Sequence, residues 1–139
     1  DIPSLVLDRN SFQETPQLLE SLKKVNINFI VLAGFMWLVP SYLVNAYPNK
    51  IVNLHPALLP KYGGKGMYGS HVHKAVIAAG EKESGITIHY VNQNYDDGAI
   101  IVQKTCAVAS DDTADSLAVK IHALEHEHFP KVIEDILTS

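Results

Sequence analysis

The stretch 51–55 reads Ile51-Val52-Asn53-Leu54-His55 and begins as a typical buried β-strand. Its two β-branched residues favour extended backbone, and a short apolar run is what the interior of a sheet requires. Because successive side chains of a strand point to opposite faces, Asn53 and His55 project to the same side. The stretch therefore predicts a buried strand whose carboxyl end carries two polar groups.

A second apolar run lies upstream and reads Phe29-Ile30-Val31-Leu32-Ala33, closed by Gly34. It is apolar at every position, which predicts a central strand that is covered on both faces. Residues 4–7 predict a further short strand. Segments with helical periodicity separate these runs, and such alternation is typical of βαβ units. We predict an α/β fold with a parallel or mostly parallel sheet and helices on both faces.

The other elements follow from hydrophobic spacing and turn residues. Apolar residues three and four apart predict helices, Pro40 suits the first turn of a short helix, and Gly80 suits a helix end. Two β-rich runs flank a turn rich in Asn and Asp, which predicts a hairpin. The predicted helices are 11–25, 41–46, 71–79 and a terminal helix capped by Asp112-Thr113, and the predicted hairpin strands are 85–91 and 99–108.

A long loop separates the strand that ends at His55 from the helix at 71–79. Residues 56–70 contain two prolines and four glycines, a composition typical of a loop. Long loops in compact domains are usually functional. We therefore expect this loop to have a function.

Composition limits the class of protein. The 139 residues, 47% of them hydrophobic, suffice for one core, and a net charge of −4 gives no basic surface for nucleic acid or membranes. The single cysteine, Cys106, excludes an internal disulfide, which suggests a cytoplasmic location. We interpret Cys106 as a small hydrophobic residue and not as a nucleophile. Because the chain begins at Asp1, we expect it to be a fragment.

Three side chains could carry chemistry. Asn53 and His55 end a strand where open α/β sheets bind their ligands, and Asp96 lies in the turn before Gly98. A histidine moves protons, a carboxylate orients it, and an amide can donate to a developing oxyanion. This set suits acyl transfer without a covalent intermediate. The alternative is structural: a hydrogen-bonded core histidine, a loop-capping amide and an aspartate bound to its own turn.

The seven histidines also raise the question of a metal site. His71 with His73, and His122 with His126, are the pairs whose spacing could place two ring nitrogens together. No further cysteine or carboxylate pattern accompanies either pair. We therefore predict that no metal is bound.

A longer motif begins at Asn53 and reads Asn53-Leu54-His55-Pro56-Ala57-Leu58-Leu59-Pro60-Lys61-Tyr62. It resembles the N-x-H-P-S-L-L-P signature of the formyltetrahydrofolate-utilising transferases. Val31-Leu32-Ala33-Gly34-Phe35-Met36 is similar to the strand and folate-binding loop of the glycinamide ribonucleotide formyltransferase family, and Tyr95-Asp96-Asp97-Gly98 is similar to its D-x-G turn. Glu125-His126 and Phe129-Pro130 match a family E-H-x-x-[YF]-P element. The resemblance extends from about residue 1 through the terminal helix.

This resemblance implies a Rossmann-like formyltransferase fold. It also implies formyl transfer from N10 of 10-formyltetrahydrofolate, as co-substrate, to the amine of glycinamide ribonucleotide in de novo purine biosynthesis. In that reaction Asn53 would hold the formyl oxygen, His55 would handle protons, and Asp96 would position His55 or a water. The implied folate-binding residues are Met36, Trp37, Leu38, Val39, Asn53, His89, Asn92 and Asp96, and the implied substrate-binding residues are Pro56, Lys61 and Gly64.

The chain departs from the family pattern at several points. Trp37 stands where the family often has arginine, and the loop after Lys61 is longer than in many members. The family opens with a strand and a glycine-rich S-G-x-G-S-N turn that binds phosphate, and neither occurs in residues 1–139. We therefore expect residues 1–139 to be the C-terminal part of a single formyltransferase domain, which alone would bind glycinamide ribonucleotide poorly.

Three other functions stay open. Methionyl-tRNA formyltransferases usually have an Arg-Gly pair after the motif and a basic domain, neither of which is visible here. Formyltetrahydrofolate hydrolases typically have a second histidine where Pro56 stands. A degenerate folate-binding fragment would not be an enzyme. The predicted partners are small molecules, without nucleic acid or membrane, and a homodimer is left open.

Overall fold

The computed structural model describes residues 2–14 and 17–139. In this part of the chain a four-stranded sheet is accompanied by helices. The strands are β1 (Ile30–Leu32), β2 (Ile51–His55), β3 (Glu83–Tyr90) and β4 (Ile100–Ala107). The helices are α1 (Arg9–Glu14), α2 (Gln17–Lys24), α3 (Ser41–Ala46), α4 (Ser70–Ala78) and α5 (Ala114–Thr138).

The strand order is β1-β2-β3-β4, and the pairing is mixed. β1 and β2 are parallel, whereas β2 with β3 and β3 with β4 are antiparallel. The α/β class is confirmed, but the prediction of a mostly parallel sheet is wrong for the described strands. The reason is the path of the chain after β2. Lys61, six residues after the end of β2, contacts Glu81, which lies just before β3. The chain therefore enters β3 at the edge where it left β2, and β3 has to run back.

The first strand also differs from its prediction. Among the described residues β1 is an edge strand, not a central one, and Val31 is 39% exposed. The predicted strand at 4–7 has no strand structure, and Val6 is 94% exposed. A strand needs a neighbour to satisfy its backbone hydrogen bonds, and no described strand lies beside this segment. Uniform hydrophobicity identified β1 but could not give its neighbours.

Helix ends agree with the sequence interpretation. Asn26 and Gly80 adopt positive φ angles of 60° and 68° after α2 and α4. In both cases paired backbone hydrogen bonds close the last turn, as in a Schellman motif. Thr113 caps α5 by accepting from the Ser116 backbone while the Ser116 side chain accepts from Thr113. The predicted hairpin is formed by β3 and β4.

Two hydrophobic clusters lie on opposite faces of the sheet. One combines α1, α3 and Ile51, and the other combines α4, α5 and β3, with Leu54 packed against it. Ile51 and Leu54 are three residues apart in β2 and so face opposite sides. The predicted helices on both faces are therefore present. No helix in the described part of the chain is long and apolar enough to cross a membrane.

Candidate functional site

A cleft of about 280 Å³ lies where β2 ends. Its walls come from the segment after β1, the end of β2, the loop before α4, the turn after β3, and helices α4 and α5. The residues that line it include Leu32 to Val39, Asn53 to Pro56, Gly64, Gly66 to Gly69, His73, His89, Val91, Asn92, Asn94 to Asp96, His122, Glu125 and Phe129. The cleft therefore collects most of the residues that the sequence singled out.

A row of polar side chains runs across β2 and β3 at this cleft. Antiparallel pairing sets Asn53 opposite His89 and His55 opposite Thr87. Side chains that lie opposite each other share a face of the sheet, so all four point the same way. Asn53 Nδ2 lies 3.4 Å from His89 Nε2, a long contact. The predicted common direction of Asn53 and His55 is confirmed.

Asp96 meets this row from the turn after β3. Its Oδ1 lies 3.5 Å from His55 Nδ1 and 3.6 Å from His89 Nε2, and its Oδ2 accepts the Gly64 N–H at 3.1 Å. Asp96 adopts a positive φ of 50°, a conformation that aspartate tolerates better than most residues. The predicted trio is therefore brought together, and His89, expected among the folate-binding residues, joins it.

Burial and neighbouring groups have opposite effects on the pKa values of His55 and Asp96. Burial lowers the pKa of His55 below its ordinary value of 6.5, although Asp96 and the Tyr62 carbonyl act to raise that pKa. Burial acts to raise the pKa of Asp96, but contacts with His89, His55 and the Gly64 N–H lower it overall. At neutral pH the site thus holds an ionised carboxylate beside a largely neutral imidazole.

The start of the loop is fixed by a buried hydroxyl that the sequence analysis did not single out. Thr87 Oγ1 donates to the Ala57 carbonyl at 2.7 Å and accepts from the Leu59 N–H at 3.1 Å and from Gln103 Nε2 at 3.0 Å. Gln103 Nε2 also donates to the Leu59 carbonyl. These bonds hold the segment that follows His55, so Thr87 supports the site without lining the cleft.

The predicted folate residues form an apolar wall of the cleft. Met36, Trp37, Leu38 and Val39 all line it, with Met36 53% exposed. The Trp37 ring packs against Phe12 and Phe35, with centroids 5.8 and 6.0 Å away, which fixes its position. Asn92 lines the cleft from the turn after β3.

The predicted substrate-binding residues do not all lie in the cleft. Pro56 and Gly64 line the cleft, but Lys61 does not. The Lys61 ammonium lies 3.4 Å from Glu81 Oε2, and the Lys61 side chain is 69% exposed. The structure therefore does not bring Lys61 to the site.

Helices α4 and α5 contribute three titratable side chains to the cleft, His73, His122 and Glu125. The sequence analysis considered them only as metal ligands or as part of a motif. His73 is buried, and its Nδ1 has no hydrogen-bond partner in the described part of the chain. Burial, with His122 and His55 nearby, lowers the pKa of His73. Burial raises the pKa of Glu125. Among residues 2–14 and 17–139, no group of three or more His, Cys, Asp or Glu side chains is placed to hold a metal ion.

Comparison with known proteins identifies the family. Residues 1–133 match the family described as "Formyl transferase". The chain belongs to the formyl transferase family. The match confirms the resemblance seen in the sequence. In this formyl transferase chain, Asn53 and His55 of the motif line the cleft.

Several relatives bear one name. The formyl transferase chain is 45% identical over 117 residues to "Phosphoribosylglycinamide formyltransferase, chloroplastic" of Arabidopsis thaliana, covering 84% of this chain and 40% of the relative. It is 36% identical over 140 residues to "Phosphoribosylglycinamide formyltransferase" of Bacillus subtilis, covering 98% and 69%. It thus spans about 40% of the plant relative's length.

Solved structures agree. Phosphoribosylglycinamide formyltransferase from Anaplasma phagocytophilum matches with a TM-score of 0.85 at 36% identity, covering 96% of this chain and 62% of that one. The enzyme of that name from Bacillus halodurans matches with a TM-score of 0.81 at 38% identity, covering 88% and 61%. The Rossmann-like formyltransferase fold predicted for this formyl transferase chain is therefore confirmed.

Proposed function

We propose that the protein transfers a formyl group from N10 of 10-formyltetrahydrofolate to the amine of glycinamide ribonucleotide, a step of de novo purine biosynthesis. The observation that carries this proposal is that Asp96, in the turn after β3, meets Asn53 and His55 of the family motif at one edge of the cleft. The names of the relatives support the choice of the transferred group and the acceptor, and the folate donor is proposed from the resemblance of the motif.

The reaction balances without a covalent enzyme intermediate. The acceptor amine attacks the formyl carbon, a C–N bond forms, and the bond from that carbon to N10 breaks. The amine loses one proton and N10 gains one. The protein therefore has to stabilise a tetrahedral oxyanion and carry a proton between two nitrogens that the cleft holds close together.

His55 is proposed to carry that proton. Its lowered pKa keeps the ring largely neutral at pH 7, so it can take a proton from the attacking amine. The Asp96 carboxylate, 3.5 Å from Nδ1, would then stabilise the imidazolium that forms. Because the proton leaves again toward N10, His55 would serve as base and then as acid.

Asn53 is proposed to hold the formyl oxygen through its amide N–H. In the structure Nδ2 faces His89 at 3.4 Å, and Oδ1 is buried without a hydrogen-bond partner in the described residues. A contact of this length is weak, so redirecting Nδ2 toward a developing oxyanion loses little. Removal of a single oxyanion donor typically slows an enzyme by about 10²–10³.

The apolar wall is proposed to receive the pterin ring. Met36, Trp37 and Leu38 offer flat or flexible apolar surface next to the buried Val39, and Asn92 offers a polar group from the turn after β3. The backbone there would supply the hydrogen bonds to the ring, except that the Leu38 carbonyl already accepts from Gln13 Nε2 at 2.7 Å. The glycine-rich loop, residues 61–69, would close over the site and exclude water.

A formyl transfer assay with a matched pair of variants tests the proposal. His55→Ala removes the proton carrier, and we expect kcat to fall by about 10²–10⁴. His128→Ala is the control, because His128 lies on α5 beside Glu127 and does not line the cleft. Turnover of the His55→Ala variant close to that of wild type would overturn the assignment.

The other functions considered for the sequence are less favoured. The relatives described above are named neither as hydrolases nor as methionyl-tRNA formyltransferases, and release of formate without acceptor would indicate a hydrolase. A homodimer and a cytoplasmic location stay predictions. The name of the plant relative places that protein in the chloroplast.

A further inference from the structure

The backbone of the loop grips both members of the His55–Asp96 pair. The Tyr62 carbonyl lies 2.7 Å from His55 Nε2, and the Gly64 N–H donates to Asp96 Oδ2 at 3.1 Å. Tyr62 and Gly64 both have positive φ angles, 58° and 100°, so the chain bends tightly between the two contacts. We call residues 62–64 the backbone clamp.

The clamp constrains where the histidine keeps its proton. A carbonyl oxygen only accepts hydrogen bonds, so the short contact with Tyr62 requires a hydrogen on Nε2. In the neutral ring Nδ1 then bears the lone pair. Nδ1 faces Asp96 Oδ1 at 3.5 Å, which is longer than an ordinary N–H···O bond and fits two facing acceptors.

The other groups around the ring do not reverse this preference. His89 and His73 are the further titratable groups near His55, and both are themselves buried. In the described part of the chain neither His89 nor His73 forms a hydrogen bond with the His55 ring, whereas the Tyr62 carbonyl accepts one from it. The strongest directional contact on the ring therefore comes from the loop backbone.

We propose that the backbone clamp is a positioning device that fixes His55 in the Nε2–H tautomer, with Nε2–H donating to the Tyr62 carbonyl until the loop moves. This inference rests on the proposed function for its consequence. While the clamp is engaged, neither ring nitrogen is free to receive a proton from the acceptor amine. Proton transfer through Nε2 then needs withdrawal of the Tyr62 carbonyl and a shift of the ring hydrogen from Nε2 to Nδ1, where the Asp96 carboxylate can accept it, so that Nε2 becomes the free lone pair. Loop movement would thus be coupled to chemistry.

Nitrogen-15 NMR of the histidine rings tests the clamp, because ring nitrogens with and without hydrogen have well separated shifts. In the wild-type chain without ligand we expect the Nε2–H tautomer of His55 to predominate. Gly64→Ala strains a residue at φ 100° and so displaces the N–H that holds Asp96. We expect this variant to lose the predominance of Nε2–H and to give a mixture.

Gly66→Ala is the matched control. Gly66 has a similar φ of 84° and, like Gly64, open space for a Cβ, but no hydrogen bond joins it to His55 or Asp96. We expect its tautomer to stay as in wild type. Circular dichroism of both variants checks that they fold. Equal shifts in the two variants, or a predominant Nδ1–H tautomer in wild type, would overturn the proposal.

A second variant separates the clamp from the carboxylate. In Asp96→Asn the amide can donate to the lone pair on Nδ1, so the clamp proposal expects Nε2–H to persist. If the carboxylate decided the tautomer by accepting from Nδ1–H, the variant would change it instead. None of these readouts needs turnover: a wild-type protein without formyl transfer would contradict the proposed function, and the tautomer would still decide the clamp.

Discussion

The hydroxyl of Thr87 gives the sharpest prediction for stability. Thr87→Val preserves the shape of a fully buried side chain and removes the oxygen that bonds the Ala57 carbonyl and the Leu59 N–H. Each buried backbone group left without a partner costs about 1–3 kcal/mol. With two such groups, we expect the free energy of unfolding to fall by about 2–6 kcal/mol, a large part of the roughly 5–15 kcal/mol that stabilises a typical domain.

Urea denaturation followed by circular dichroism measures this change. Thr87→Ser is the matched control, since it retains the hydroxyl and loses only a methyl group, at about 1 kcal/mol. Because the affected segment follows His55 directly, Thr87→Val should also reduce formyl transfer in native conditions. A loss below about 1 kcal/mol in Thr87→Val, or an equal loss in Thr87→Ser, would refute the reasoning.

Two further predictions concern pH and ligand binding. Because burial lowers the pKa of His55, we expect protonation to abolish its action as a base, seen as the acidic limb of kcat/KM, only below pH 6.5. The Asp96 carboxylate raises that pKa, so Asp96→Asn should move the acidic limb to still lower pH. An acidic limb above pH 6.5, or one that moves to higher pH in the variant, would contradict this. Trp37 is the only tryptophan of the chain and lines the cleft, so binding of folate should change the intrinsic fluorescence. Fluorescence that stays constant under saturating folate would argue against the apolar wall as the pterin site.

Much of the local structure could be predicted because it depends on short-range chemistry. Asn53 and His55 share a face through strand periodicity alone, and Gly80 and Thr113 end and begin helices through backbone and side-chain hydrogen bonds. The long motif then identified the family. These features need no knowledge of which strands become neighbours.

The rest depends on pairing that no local pattern contains. The position of β1 at an edge and the antiparallel course of β3 follow from the path of the whole chain. The resemblance named His89, but its place in the polar row beside Asn53 follows only from the cross-strand pairing of β2 with β3. The hydrogen bond from His55 to Tyr62 uses a main-chain carbonyl, which every residue possesses and no sequence pattern marks.

The antiparallel pairing of β2 and β3 also bears on misfolding. Asn53 and His55 share one face of β2 with Ile51 of the first hydrophobic cluster, whereas Leu54 lies on the other face and packs against the second cluster. A slip of β2 by one residue would send the amide and the imidazole into the hydrophobic cluster and the apolar side chains into the cleft. We expect a slip of this kind to cost both activity and stability, because it removes the polar groups from the cleft and disturbs the packing of the core. The packing of the core therefore favours the same register of β2 that places Asn53 and His55 in the cleft.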